Sequence, residues 1–177
     1  MDGQQLVKLA RSAIESSFGM VAPAIADAPW LQQPGATFVT LTRQGHLRGC
    51  IGSLEAHRSL REDVIQNALA AAFRDRRFLP LEARELPDLK IEVSLLSPQQ
   101  PIDFTDESDA LAKLRPHQDG IVFECGPCRS TFLPQVWEQL PSPREFMAYL
   151  KRKAGLADNF WSPEVRLFRY TVAKWKE

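Results

Sequence analysis

An arginine and a cysteine stand two positions apart in Leu47-Arg48-Gly49-Cys50-Ile51-Gly52, with one glycine between them and another just beyond. Successive side chains of an extended strand point to opposite faces, so His46, Arg48 and Cys50 are expected on one face. Leu47, Gly49 and Ile51 would then share the other, core-facing side. A thiol two residues from a guanidinium would be held as thiolate, the form that acts as a nucleophile. Arg48 could equally bind an anionic group, while Gly49 and Gly52 would admit a ligand or a second backbone, or mark a bulge. His46 as a base would lie far along the strand from Cys50. The competing reading makes Cys50 a small buried hydrophobe, which by residue type alone is the commoner fate of a free cysteine.

Cys125-Gly126-Pro127-Cys128 matches the thioredoxin-type tetrapeptide letter for letter. In that setting the tetrapeptide opens a helix, whose N-terminus stabilises the thiolate. Here Arg129-Ser130-Thr131-Phe132-Leu133 follows, a strand-forming run, so the two thiols are expected at a hairpin tip. A weaker alternative makes them half of a zinc site completed by His117, Cys50, His46 or His57, although no second cysteine pair stands at metal spacing. His57 and His117 read as solvated loop residues. Glu92 alternates with core residues and would pair with Arg48 across strands if their strands were neighbours. Asp75 with Arg77 would either position a loop or meet a ligand. The sequence contains no phosphate-binding glycine loop, no serine nucleophile elbow and no helical histidine pair for a metal, and it points to no cofactor.

The elements that must carry these groups follow from the pattern of apolar residues. The 177 residues suffice for one domain, with 44% hydrophobic and 25% charged side chains in the ordinary globular range. Twenty-two basic residues balance twenty-two acidic ones, so no global field favours nucleic acid or an anionic membrane. No apolar run is long enough to span a bilayer. Asp2, Gln4 and Gln5 lack the charge and apolar block of a signal peptide. With three cysteines, an odd number, a reducing cytoplasm is the expected compartment.

Leu6, Leu9, Ala10, Ala13, Ile14 and Phe18 recur at helical spacing over residues 2–18, and Gly19 marks the stop. Pro23, Pro29 and Pro34 break regular structure, with Trp30 and Leu31 expected to pin the loop. Thr37 to Thr42 and His46 to Leu54 read as a hairpin around Gln44-Gly45. Ser59 and Glu62 form a capping box for a helix reaching about Arg74. The following Arg74-Asp75-Arg76-Arg77 would offset the helix dipole or, less simply, bind an anion. Leu89 to Leu95 alternates as a half-buried strand. A short helix near Asp106 to Leu114 leads into a second hairpin, Ile121 to Cys125 and Ser130 to Leu133. A helix capped by Ser142-Pro143 and stopped at Gly155 comes next. The last strand, Val165 to Lys174, shifts phase at Leu167-Phe168, which predicts a bulge.

Each half thus reads hairpin, helix, strand. The expectation is an α+β fold of two related β-hairpin–helix–strand units with antiparallel or mixed sheets, one domain over 1–177 with subdomain halves at 36–97 and 117–175. A groove between two such units is the default place for a ligand or partner.

The blocks Phe38-Val39-Thr40-Leu41, Leu47 to Gly52, Asp75 to Leu81, Ile91-Glu92-Val93-Ser94, Phe132 to Val136 and Lys153 to Leu156 give the chain a resemblance to the AMMECR-type domain family, also called AmmeMemoRadiSam system protein A. The resemblance covers nearly the whole chain. It implies a mixed α/β fold of two subdomains, a cytosolic setting, and work alongside a Memo-like protein and a radical S-adenosylmethionine enzyme. It brings no reaction with it, and carries over only the motif holding Arg48, Gly49, Cys50 and Gly52. Two departures stand out: Cys125 to Cys128 replaces a stretch of glycines and arginines, and Lys151 stands where relatives often have a cysteine. Three readings result. Cys50 is the nucleophile or covalent carrier of an enzyme or enzyme component, Arg48 assisting; or the domain is a non-catalytic carrier or interaction module, recognising a small molecule, a peptide or a protein, in which Cys50 only packs; or Cys125 and Cys128 form a redox or metal module.

Overall fold

The computed structural model describes residues 2–21, 23 and 25–177. The helical spacing at the N-terminus gives α1, Gln4–Ser17, which buries Leu6, Val7, Leu9, Ala10 and Ile14. After the proline-rich stretch, Leu31 is fully buried and Trp30 packs beside it. The first hairpin joins β1, Ala36–Arg43, to β2, His46–Gly52. Its turn residues Gln44 and Gly45 both take positive φ, the twist that suits a two-residue hairpin. Helix α2, Leu60–Phe73, begins where the Ser59 hydroxyl accepts the Glu62 amide at 3.2 Å. Strand β3, Leu89–Leu96, returns alongside β1.

The second half comprises β4, Gln100–Ile102; α3, Glu107–Lys113; β5, Gly120–Cys125; β6, Cys128–Phe132; α4, Pro143–Lys153; β7, Arg166–Tyr170; and β8, Val172–Lys176. Pro143 holds the first position of α4 and Gly155 takes φ +83° just past its end, as expected, while Ser142 stands at the N-cap without a side-chain cap hydrogen bond. Among the described residues the strands form two four-stranded sheets, ordered β2-β1-β3-β8 and β4-β7-β5-β6. The fold is therefore α+β, and the same plan occurs twice. In each sheet the first hairpin strand lies between its hairpin partner and the strand that follows the next helix.

The contacts divide into two units: residues up to Leu96 together with Ala173–Glu177, and Ser97–Val172. The first has a core of Leu6, Ile14, Val39, Leu41, Val64, Ala68, Ile91 and Val93, so α1 and α2 cover one face of its sheet. The second is built on Phe123, Trp137, Phe146, Met147 and Leu167, with Trp137 stacked on Phe146 at 3.7 Å.

The phase shift near the C-terminus is not a bulge. The segment is two strands in two different sheets, separated at Thr171. Thr171 exchanges bonds with Ser97, its amide donating to Ser97 Oγ and its carbonyl accepting the Ser97 amide, both at 2.9 Å. Leu167, Phe168 and Tyr170 all belong to β7, whose register with β5 runs unbroken from Arg166 to Tyr170. No helix among the described residues is long and apolar enough to cross a membrane.

Candidate functional site

Register decides what β2 presents. Counting back from the Gln44-Gly45 turn would place Cys50 opposite Val39. Instead Thr42 pairs with Leu47 but Leu41 with Gly49, so Arg48 is the extra residue of a bulge. Cys50 then lies opposite Thr40 and Ile51 opposite Val39. The alternation expected for His46, Arg48 and Cys50 is broken at the bulge. Leu47, expected in the core, is 44% exposed, while Ile51 does pack against the core.

The two groups of the motif consequently serve different neighbours. Arg48 binds Glu85 through both carboxylate oxygens, Nε to Oε1 at 2.8 Å and Nη2 to Oε2 at 3.0 Å. Nη2 also reaches the Pro80 carbonyl at 3.4 Å. This paired guanidinium holds the Glu85 carboxyl down to about 2, with the Glu82 amide and Arg43 adding to the effect against a desolvation penalty. A pocket of about 370 Å³ lies on this side, lined by Arg43, Arg48, Leu79, Pro80 and Glu82 among others, and Cys50 is not part of it. The Arg48–Glu92 pair does not form, because β1 separates their strands. Glu92 faces Lys174 at 3.7 Å instead.

The cation that reaches the Cys50 backbone is Arg77. β2 is an edge strand, and its outward amide and carbonyl at Cys50 are both taken. Asp75 Oδ2 accepts the Cys50 amide at 2.9 Å, and Arg77 Nη2 donates to the Cys50 carbonyl at 3.2 Å. Asp75 and Arg77 are joined directly, Nη2 to Oδ2 at 2.7 Å and Nε to Oδ1 at 3.0 Å. That guanidinium keeps the buried Asp75 carboxyl well below the usual carboxylate range, helped by the Cys50 and Arg77 amides. Asp75 and Arg77 therefore position a loop, stitching the turn after α2 to the sheet edge.

Both glycines of the motif serve close packing. A Cβ on Gly49 would stand 2.2 Å from the Ala71 carbonyl oxygen of α2, and one on Gly52 would stand 2.2 Å from the Phe38 ring. Of the approaches that a glycine allows, the one realised at Gly49 is by backbone.

What remains for chemistry is a row across the face of the first sheet opposite α1 and α2. Val39, Leu41, Ile91 and Val93 point to the helices, so Thr40 and Glu92, alternating with them, point away. Cys50 Sγ lies 3.3 Å from Thr40 Oγ1, Thr40 registers with Glu92, and Glu92 meets Lys174. Thiol, hydroxyl, carboxylate and amine thus stand on β2, β1, β3 and β8 in turn. Cys50 is half-buried, while the Glu92 and Lys174 side chains are 33% and 47% exposed. Two strand spacings separate Cys50 from Glu92, roughly 10 Å, so any proton passing between them would go through Thr40 or a bound molecule. Of the residues singled out from sequence, Cys50 and Glu92 are brought into one row. Arg48 turns to Glu85, Gly49 and Gly52 support packing, and exposed His46 pairs with Arg43 at the turn.

Thr40, Lys174 and Glu85 were not singled out. The bulge hides Thr40 and the change of sheet hides Lys174. Glu85 carries only a generic signal, since Glu82 and Glu85 cap the short 3-10 turn Ala83–Asp88 reciprocally. Cys125 and Cys128 oppose each other at the end of the second hairpin, as expected, and both thiols are free. Among the described residues no three His, Cys, Asp or Glu side chains are grouped to hold a metal. Lys151 is buried, bonded to Glu107 and to the Asp158 carbonyl at 3.2 Å.

The AMMECR1 family model matches residues 7–175. A protein of Methanothermobacter thermautotrophicus is 37% identical over 96% of this chain and 91% of its own length. One from Thermococcus gammatolerans is 35% identical over 99% and 90%. The crystal structure of an uncharacterized protein from Pyrococcus horikoshii superposes with a TM-score of 0.80 at 31% identity, covering 99% of this chain and 91% of that one. With a family model running almost from end to end and relatives above 30% identity across their length, the chain belongs to the AMMECR1 family.

Proposed function

We propose that this chain is a cytosolic component acting with a Memo-like protein and a radical S-adenosylmethionine enzyme, and that it engages its ligand or partner through the β2 strand, on the face of the first sheet opposite α1 and α2. The observation that carries this reading is the row Cys50–Thr40–Glu92–Lys174, four different polar functions in register on four strands. Cys50 is the reactive or contacting group. Thr40 orients the sulfur, and Glu92 with Lys174 offers an acceptor and a donor to the far end of a bound molecule. Arg48, Gly49, Asp75 and Arg77 keep the strand in place rather than touch the ligand.

The row also separates this reading from that of a module in which Cys50 merely packs. Iodoacetamide should label Cys50 in the native chain, and Thr40→Val should change the rate without unfolding the protein. Purified Memo-like protein, titrated against wild type, Cys50→Ser and Glu92→Gln, should bind both variants at least about tenfold more weakly, the loss of one well-made polar contact to a charged group. Unaltered binding by both variants, with Cys50 inert until the chain is denatured, would remove this face from consideration.

A further inference from the structure

The Cys125-Gly126-Pro127-Cys128 turn takes no part in the row just described. Cys125 and Cys128 are direct partners in the β5–β6 ladder and close its two-residue turn, with Gly126 at φ +54°. Directly paired residues of an antiparallel ladder have Cα atoms about 5 Å apart and side chains on one face. That Cα separation lies inside the range a disulfide spans. The frame is fixed from both sides. β5 lies between β6 and β7, and on β6 the Ser130 hydroxyl donates to the Leu150 carbonyl at 2.6 Å while Lys153 donates to the Thr131 carbonyl at 2.9 Å.

The two thiols are unequal. Cys125 is 9% exposed and belongs to the apolar cluster with Phe123, Trp137 and Phe146, whereas Cys128 is half-buried. An outer sulfur that meets the reagent and an inner one that resolves the product is the arrangement that two-step thiol exchange needs. The turn already closes the four-residue loop, so a disulfide there restricts the unfolded chain little and adds little stability, which keeps it reducible. In a reducing compartment, disulfides of that kind are transient and functional rather than structural.

We propose that Cys125 and Cys128 form a reversible dithiol–disulfide couple that reduces low-molecular-weight disulfides. The Cys128 thiolate attacks one sulfur of the external disulfide, whose S–S bond breaks and releases one thiolate. The Cys125 thiolate then attacks the Cys128 sulfur of the mixed disulfide and expels the second. Two cysteine thiols become one cystine and the external disulfide becomes two thiols; the two protons lost by the cysteines end on the two leaving groups. This site stands independently of the Cys50 row.

Oxidised glutathione, with the full chain, is the probe. After acid trapping and peptide mapping, the wild type should show a Cys125–Cys128 peptide lighter by two hydrogens, restored by excess reduced glutathione. Cys125→Ser should stop at the first step and accumulate glutathione on Cys128. In Cys128→Ser, modification at Cys125 should be at least about tenfold slower, because the inner sulfur is screened. A wild type that accumulates the mixed disulfide, links to a second chain through these residues, or keeps both thiols reduced would overturn the proposal.

Discussion

At the scale of single residues, the glycines show how a chemical-looking motif can be a packing device. Gly49 has a hydrogen where any other residue would drive its Cβ into the carbonyl of Ala71, in the last turn of α2, and a backbone carbonyl has no rotamer by which to step aside. Gly49→Ala should therefore push α2 off the sheet and destabilise the chain by about 2–3 kcal/mol, at the upper end of overpacking costs. A urea titration reads this directly; a midpoint within error of wild type would mean that the helix can yield. The sequence marked Gly49 and Gly52 as places of close approach, since only that or a turn rewards the absence of a side chain in a strand. It could not identify what approaches, because Ala71 lies more than twenty residues away and contributes only a carbonyl.

At the scale of elements, the chain following α2 is laced to the edge of β2 twice, by the bonds of paired Asp75 and Arg77 to the Cys50 backbone and by the Arg48–Glu85 ion pair. The hairpins, helices and caps were legible because their signals are local. The bulge at Arg48 was not, and it alone decides which face each side chain of β2 takes. Its consequence is measurable. Glu85, with its carboxyl held down to about 2, contributes stability that is fully present above the ordinary carboxyl range and is lost as pH falls through that range to about 2. Over that interval the unfolded chain binds the proton and the folded chain does not, so stability rises with pH. Glu85→Gln should flatten this slope and lower stability at pH 7 by roughly 2–4 kcal/mol, since Arg48 would keep a desolvated charge without the carboxylate bonded to it. Unfolding free energies at a series of pH values test both, and a slope in the variant equal to that of wild type would assign the pH dependence elsewhere. Asp75→Ala tests the other lace. It leaves the Cys50 amide without its acceptor, and exchange of that amide should quicken at least about tenfold, in keeping with the loss of a bond to a charged group.

At the scale of the whole molecule, the doubled hairpin–helix–strand plan was legible, whereas the assignment of the last strand was not. Its alternation pattern reports only that each residue faces a core, never which core. The chain answers by changing sheets at Thr171, and β8 becomes the edge of the first sheet, far in sequence from its neighbours. There Trp175 lies over Gly3, where a Cβ would sit 2.0 Å from the ring, and packs against the first core. Glu177 accepts from Arg11 Nε at 3.0 Å and from the Ile91 amide at 3.2 Å, tying α1 to β3. A chain ending at Val172 loses the apolar cover, the ion pair and one strand edge together. The ring alone should be worth about 2 kcal/mol, so α1 and β3 should lose stability by at least that amount. Hydrogen exchange resolves the outcome by element. Amides of α1 and β3 should exchange at least about tenfold faster in the truncated chain, with Ile91 among the most affected. If their protection is unchanged, β8 is an ornament on a unit that is complete without it, and Lys174 can be no essential member of the row on that sheet.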